Sequence, residues 1–322
     1  MCSRWITAIS THCGGRDVGV FVFCRRPKQR GTAGAFARRA LLEWWPLPPL
    51  WQATQRRCPI TTQPNSIALT LALRVSGLRV AYGPIIAVDG IDLEVREGEI
   101  YGLLGPNGAG KTSALSAIEG LLRPAAGDIV IGEIDARAHP LQAKAQLGVQ
   151  LQATSFHSSL TLVEIVRLYA GLYGVTLSSS QIRELLGEIN LQNEASKRFR
   201  ELSGGQQQRF SLLIATIHDP ALVLLDEPTA GLDPQGRRQL WDRIERFRKE
   251  GRSILLTTHS MEEAQAVCDR VAIMDHGKIL TVGTPAALIA AHRDDPEVRQ
   301  AAHGEVTLED VFIALTGREL RD

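Results

Sequence analysis

Nine consecutive residues, Gly105-Pro106-Asn107-Gly108-Ala109-Gly110-Lys111-Thr112-Ser113, place three glycines, an ammonium and two hydroxyls on one short stretch of chain. Gly105 to Thr112 fits GxxxxGK[ST], the pattern of a loop that cradles the phosphates of a nucleoside triphosphate. The residue types suit that task. Glycines let the backbone turn tightly and aim its N–H groups inward. Lys111 has the reach for the β- and γ-phosphates, and the Thr112 hydroxyl suits Mg²⁺. A helix beginning at Lys111 and running to about residue 122 would turn its positive end to the anion.

A phosphate cradle needs a carboxylate to hold the metal and a group to direct water. The run Leu222-Val223-Leu224-Leu225-Asp226-Glu227 supplies both at the end of an apolar strand, with Asp226 suited to the metal and Glu227 to the water. The elements that position these groups can be read from pattern. Glu99 to Leu104 is a short apolar strand leading into the cradle. Residues 71–83 alternate as a strand, and residues 91–99 form a second strand after a turn at Val88-Asp89-Gly90. Ser253 to Thr258 is another apolar strand, and the apolar positions of Thr161 to Tyr173 share a helical face.

Further motifs give the chain a family. Leu202-Ser203-Gly204-Gly205-Gln206, ahead of a helical stretch at Gln207 to Ile217, resembles the signature motif of ABC ATPases. Ser203, Gly204 and Gly205 at a helix start make a second anion-binding terminus. Two such ends in one chain imply that they meet across a dimer. Gly231-Leu232-Asp233-Pro234 resembles the family's D-loop, and His259 its switch histidine at the γ-phosphate. In Leu147-Gly148-Val149-Gln150-Leu151-Gln152, Gln152 resembles the glutamine that ligates Mg²⁺ and water, with Gln150 as the competing assignment. Tyr82 resembles the aromatic residue that stacks on adenine, and Leu308 to Phe312 a tail of drug- and polysaccharide-exporter ATPases.

The resemblance implies an α/β fold with a P-loop core, an antiparallel β subdomain over about 71–98 and a helical subdomain over about 153–219. It implies ATP and Mg²⁺ as ligands, Glu227, His259 and Lys111 as catalytic residues, and residues 105–113, Tyr82, Gln152, Ser203 to Gln206 and Asp233 as the nucleotide site. Thr112, Gln152 and Asp226 would hold the metal. It further implies a second ATPase subunit and an integral membrane permease that docks near residues 153–160, which places the chain at the cytoplasmic face of the membrane. Homodimer and heterodimer are both open. The alternatives are a non-transport ABC ATPase of the translation or repair type, or an ATP-sensing module.

Composition bounds the rest. The chain has 322 residues, 44 % hydrophobic and 22 % charged, as in ordinary globular proteins. Residues 1–66 carry ten Lys/Arg and two Asp/Glu, leaving 26 of the 36 basic and 33 of the 35 acidic residues for the remainder. The acidic remainder disfavours nucleic acid as a partner. Residues 1–70 are Arg-, Trp- and Pro-rich, have no counterpart in the family, and read as a disordered extension or a start placed too early. The ATPase domain is then expected over 71–305, with a C-terminal tail over 306–322.

Overall fold

A computed structural model describes residues 12–13, 16–17, 70–150, 156–157, 159–302 and 304–317. The chain divides into two compact units, Met1–Pro64 and Asn65–Asp322. In the first, the described residues form a short antiparallel pair, β1 (His12–Cys13) with β2 (Arg16–Asp17). The second unit carries the motifs.

Among its described residues, the smaller sheet has four strands: β3 (Leu71–Tyr82), β4 (Ile85–Arg96), β6 (Ala126–Ile131) and β7 (Ile134–Asp135). All are antiparallel, in the order β4-β3-β6-β7. Two expectations are corrected here. The chain turns at Gly83, not at residues 88–90, and β4 continues unbroken through Val88-Asp89-Gly90. Gly90, at φ +72°, is the extra residue of a bulge where the register steps from Leu78↔Ile91 to Arg79↔Asp89. The antiparallel part also extends beyond residue 98, since β6 and β7 complete it.

The larger sheet comprises β5 (Ile100–Leu104), β8 (Leu147–Gln150), β9 (Leu222–Asp226), β10 (Ser253–Thr258), β11 (Arg270–Asp275) and β12 (Lys278–Gly283). Its order is β12-β11-β5-β10-β9-β8, parallel except for the β11–β12 pair. β5, β9 and β10 are buried along their whole length, which is why their sequences run apolar without alternation. One face of this sheet packs with the antiparallel sheet around α1 (Lys111–Ile118). α2 (Pro140–Ala145) precedes β8. Helix α1 stops four residues short of the expected end, and Gly120 follows in a left-handed conformation at φ +69°.

The insertion forms a helical lobe of α3 (Leu162–Leu172), α4 (Ser179–Glu188) and α5 (Gly204–Ala215). Thr161, Ser178 and Ser203 begin these helices with capping boxes. Phe156, Phe199 and Phe210 meet in its core, with the Phe156 ring edge-on to both others. On the other face of the large sheet lie α6 (Pro234–Lys249), α7 (Met261–Val267), α8 (Pro285–His292), α9 (Pro296–Ala301) and α10 (Leu308–Thr316), which contribute Leu240, Phe247, Leu288, Val298 and Phe312 to its core.

Candidate active site

The ends of β5, β10 and β9 lie side by side, because β10 pairs with both of its neighbours. β5 leads into the Gly105–Ser113 loop, β9 ends in Asp226, and β10 runs into His259. Residues more than a hundred positions apart thereby converge.

The loop is fixed by its backbone. The Gly105 N–H donates to the Thr258 carbonyl at 3.3 Å, and the Gly277 N–H to the Ala109 carbonyl at 2.9 Å. Gly110 caps α1 at φ +104°, and a Cβ there would lie 2.2 Å from the Ala87 carbonyl oxygen. Only glycine fits that backbone at that approach.

Lys111 is 4 % exposed. Its Nζ donates to the loop's own carbonyls, Gly105 O at 2.8 Å and Pro106 O at 3.0 Å, and lies 3.9 Å from Glu227 Oε1. Burial pushes the ammonium pKa down, and the Glu227 and Asp226 carboxylates oppose that shift. Thr112 Oγ1 donates to Asp226 Oδ1 at 3.4 Å, and Thr257 Oγ1 donates to the same oxygen at 2.5 Å. His259 Nδ1 lies 3.4 Å from Glu227 Oε1 without hydrogen-bond geometry. A cleft of about 370 Å³ beside this pair is lined by Thr229, Gly231, Arg237 and Glu309 among others.

The structure thus brings together Lys111, Thr112, Asp226, Glu227 and His259. Tyr82 is half exposed, and its hydroxyl donates to Ser113 Oγ at 3.3 Å, so its ring stands beside the loop. Ser203 and Gln206 belong to the helical lobe, where the Ser203 N–H donates to Gln206 Oε1 at 3.0 Å and the Gln206 N–H to Ser203 Oγ at 3.4 Å. The helix there starts at Gly204, earlier than the expected Gln207. Asp233 caps α6 by accepting from the Gly236 N–H at 2.6 Å. Gln152 lies outside the described residues. The competing Gln150 ends β8 with its side chain buried and Oε1 without a hydrogen-bond partner. Of the expected docking segment, residues 153–155 and 158 also lie outside the described residues, and Phe156 turns inward to the lobe's core.

The family model of the ABC transporter matches residues 88–230. The Nod factor export ATP-binding protein I of Cupriavidus metallidurans is 35 % identical, over 79 % of this chain and 100 % of its own length. The protein of the same name from a Rhizobium species is 33 % identical, over 78 % of this chain and 98 % of its own length. Among solved structures, an ATP-binding subunit of an ABC transporter superposes with a TM-score of 0.66 at 29 % identity, covering 76 % of this chain and 99 % of its own.

The chain belongs to the ABC transporter ATP-binding proteins.

As a member it is an ATP-binding and ATP-hydrolysing transporter subunit, and the non-transport alternative is not favoured. Among the described residues, no helix is long and apolar enough to cross a membrane. Three buried groups around the site of this ABC ATPase escaped the sequence reading. Thr257 contacts Asp226 and Glu227. Glu263 is fully buried and faces the hydroxyls of Thr258 and Thr229 and the Trp241 indole, none in regular hydrogen-bond geometry; burial pushes its carboxyl pKa up. The Glu119 carboxyl, at the C-terminal end of α1, is pushed up to about 7 by burial and then by the charge of Asp226. The signal for Thr257 and Glu119 is a polar residue beside an apolar run, whereas Glu263, next to Glu262, carries none.

Proposed function

We propose that this ABC ATPase drives export, and that Lys111, Thr112, Asp226, Glu227 and His259 are its working residues. The observation that carries the reading is their convergence on three adjacent strand ends. ATP binds with its phosphates on Lys111, Thr112, Ser113 and the amides of residues 105–112, and its base on Tyr82. Thr112 Oγ1 and Asp226 Oδ1, 3.4 Å apart, are hard oxygen donors that fit Mg²⁺. Mg²⁺ when bound neutralises charge on the phosphates. Glu227 accepts the proton of the attacking water, and His259 and Lys111 steady the γ-phosphate.

The free Lys111 donates to Gly105 O and Pro106 O, so phosphate binding exchanges these two hydrogen bonds for stronger, charge-assisted ones. The Ser203–Gln206 helix start closes over the γ-phosphate of a second subunit's ATP in a head-to-tail dimer. That subunit is a second copy or a related ATPase. Support for the dimer is that the Ser203–Gln206 helix start belongs to the helical lobe, whereas the phosphate loop is held by Ala87, Thr258 and Gly277 of the two sheets and their turn. The dimer acts beneath a membrane permease at the cytoplasmic face. The relatives are Nod factor export proteins, which favours export over import. Gln152 remains the proposed further metal ligand.

The test is Mg²⁺-dependent ATP turnover against protein concentration, with Lys111→Ala as control. A rate per subunit that rises with concentration and vanishes in the variant is expected. A rate per subunit independent of concentration in protein that sedimentation shows to be monomeric would remove the dimer, and an active Lys111→Ala would remove the site.

A further inference from the structure

Asp226 and Glu227 are consecutive, yet the proposed function gives them different tasks in different directions. Asp226 meets Thr112, and Glu227 meets Lys111 and His259. Two adjacent carboxylates in a largely dry site need something to fix how they diverge.

Thr257 sits between them. It is fully buried and stands opposite Asp226 in the β9–β10 register. Its hydroxyl proton goes to Asp226 Oδ1 at 2.5 Å, the same oxygen that accepts from Thr112. Its hydroxyl oxygen accepts from the Glu227 N–H at 3.0 Å, and its carbonyl accepts from that N–H at 3.2 Å. Glu227 leaves the strand at φ +45°, in the left-handed region that a non-glycine residue enters only when surroundings hold it. Among the described residues, Thr257 supplies two acceptors for that amide, its hydroxyl oxygen and its carbonyl.

Packing does not explain the hydroxyl. Residues 254–256 of the same strand are Ile-Leu-Leu, and Val would match Thr257 in shape and strand preference. A hydroxyl in a dry strand is unfavourable unless both its donor and its acceptor are used, and here both are used on the two carboxylate residues.

We propose that Thr257 is a positioning residue that sets the relative orientation of Asp226 and Glu227. This rests on the roles proposed above for those two residues. Losing the hydroxyl removes the shorter of the two described contacts to Asp226 Oδ1 and one of the two described acceptors of the Glu227 N–H. Metal affinity and kcat then fall together, while the loop amides that bind phosphate are untouched.

The experiment compares the full chain with Thr257→Val, Thr257→Ser and Thr257→Cys. Each is measured for kcat and KM, for Mn²⁺ affinity by electron paramagnetic resonance with a non-hydrolysable ATP analogue, and for analogue affinity in EDTA. A hydrogen bond to a charged group is worth about one to two decades in an equilibrium. Thr257→Val should therefore lose roughly tenfold or more in kcat and in Mn²⁺ affinity. Its analogue affinity in EDTA should stay within about twofold, and Thr257→Ser should behave as wild type. Equal behaviour of Val and wild type, or equal impairment of Ser and Val, would overturn the proposal. If Thr257→Val does not fold, the Ser and Cys variants, which differ in one atom, decide: equal Mn²⁺ affinities overturn it. A wild type no more active than Lys111→Ala would sink the assigned catalytic roles, and the Mn²⁺ comparison would still judge Thr257.

Discussion

Replacing Gly110 by Ala tests whether the phosphate loop is shaped by its contact with the antiparallel sheet. Two effects add. The backbone at φ +104° lies outside the region an L side chain prefers, at a cost of about 1–2 kcal/mol. The new Cβ would also lie 2.2 Å from the Ala87 carbonyl oxygen, a backbone atom of β4, and 2.9 Å from Met274 Cε. The methionine can swing aside, but the carbonyl cannot move without the sheet. Relieving the overlap takes a shift of roughly 1 Å, and overpacking of this kind costs about 1–3 kcal/mol. Gly108 isolates the first effect, since it too has positive φ, +83°, but a Cβ there meets nothing within 4 Å. At about 2–4 °C per kcal/mol, Gly110→Ala should lower the melting temperature by around 10 °C and Gly108→Ala by around 4 °C. Calorimetry without nucleotide reads this difference. Repeating it at saturating ATP reads the loop, because ligand stabilisation follows RT ln(1 + [L]/Kd). A loop displaced by about 1 Å should forfeit tenfold in affinity or more, about 1.4 kcal/mol of that stabilisation. Equal melting temperatures for the two variants, or an undiminished ATP shift in Gly110→Ala, would refute the reasoning.

Other outcomes follow from the same geometry. Glu227→Gln should lower kcat about 10²–10⁴-fold with ATP affinity nearly unchanged; single-turnover hydrolysis at the wild-type rate would remove Glu227 as the base. Tyr82→Ala should raise KM for ATP several-fold, since aromatic stacking is worth about 0.5–1.5 kcal/mol, and Tyr82→Phe should not; a KM unchanged in the Ala variant takes the adenine away from this ring. Glu119 has a folded pKa raised from 4.5 to about 7, so the folded state binds the proton more tightly than the unfolded chain. Its contribution is thus present below pH 4.5 and lost as pH rises through 7, a swing on the order of 3 kcal/mol. In metal- and nucleotide-free protein, Glu119→Gln should flatten the fall in melting temperature between pH 5 and pH 8; an unaltered slope would place the titration elsewhere.

The cradle was legible because its chemistry is local. Residues 105–113 are consecutive, and their types alone describe a loop around phosphate. Asp226 and Glu227 were legible as the end of a buried run, and His259 through the family pattern. The antiparallel sheet was read less well. Val88-Asp89-Gly90 has the composition of a turn, and the pairing of β4 with β3 on both sides of it makes it a bulge instead. Residues 126–135 complete that sheet from beyond α1, a pairing that local alternation does not announce.

The positioning groups were hidden for a deeper reason. β10 comes later in the chain than β5 and β9 but lies between them in space. Its last residues therefore touch both halves of the site at once. The Thr258 carbonyl receives the Gly105 N–H, Thr257 holds Asp226 and Glu227, and His259 approaches Glu227. Read along the sequence, Thr257 and Thr258 are two ordinary β-branched residues closing a strand. Strand order makes them the hinge between the phosphate loop and the carboxylates. The site's alignment is thus concentrated at the end of β10, next to the motif residue His259, and substitution of Thr257 should disturb catalysis without touching ATP directly.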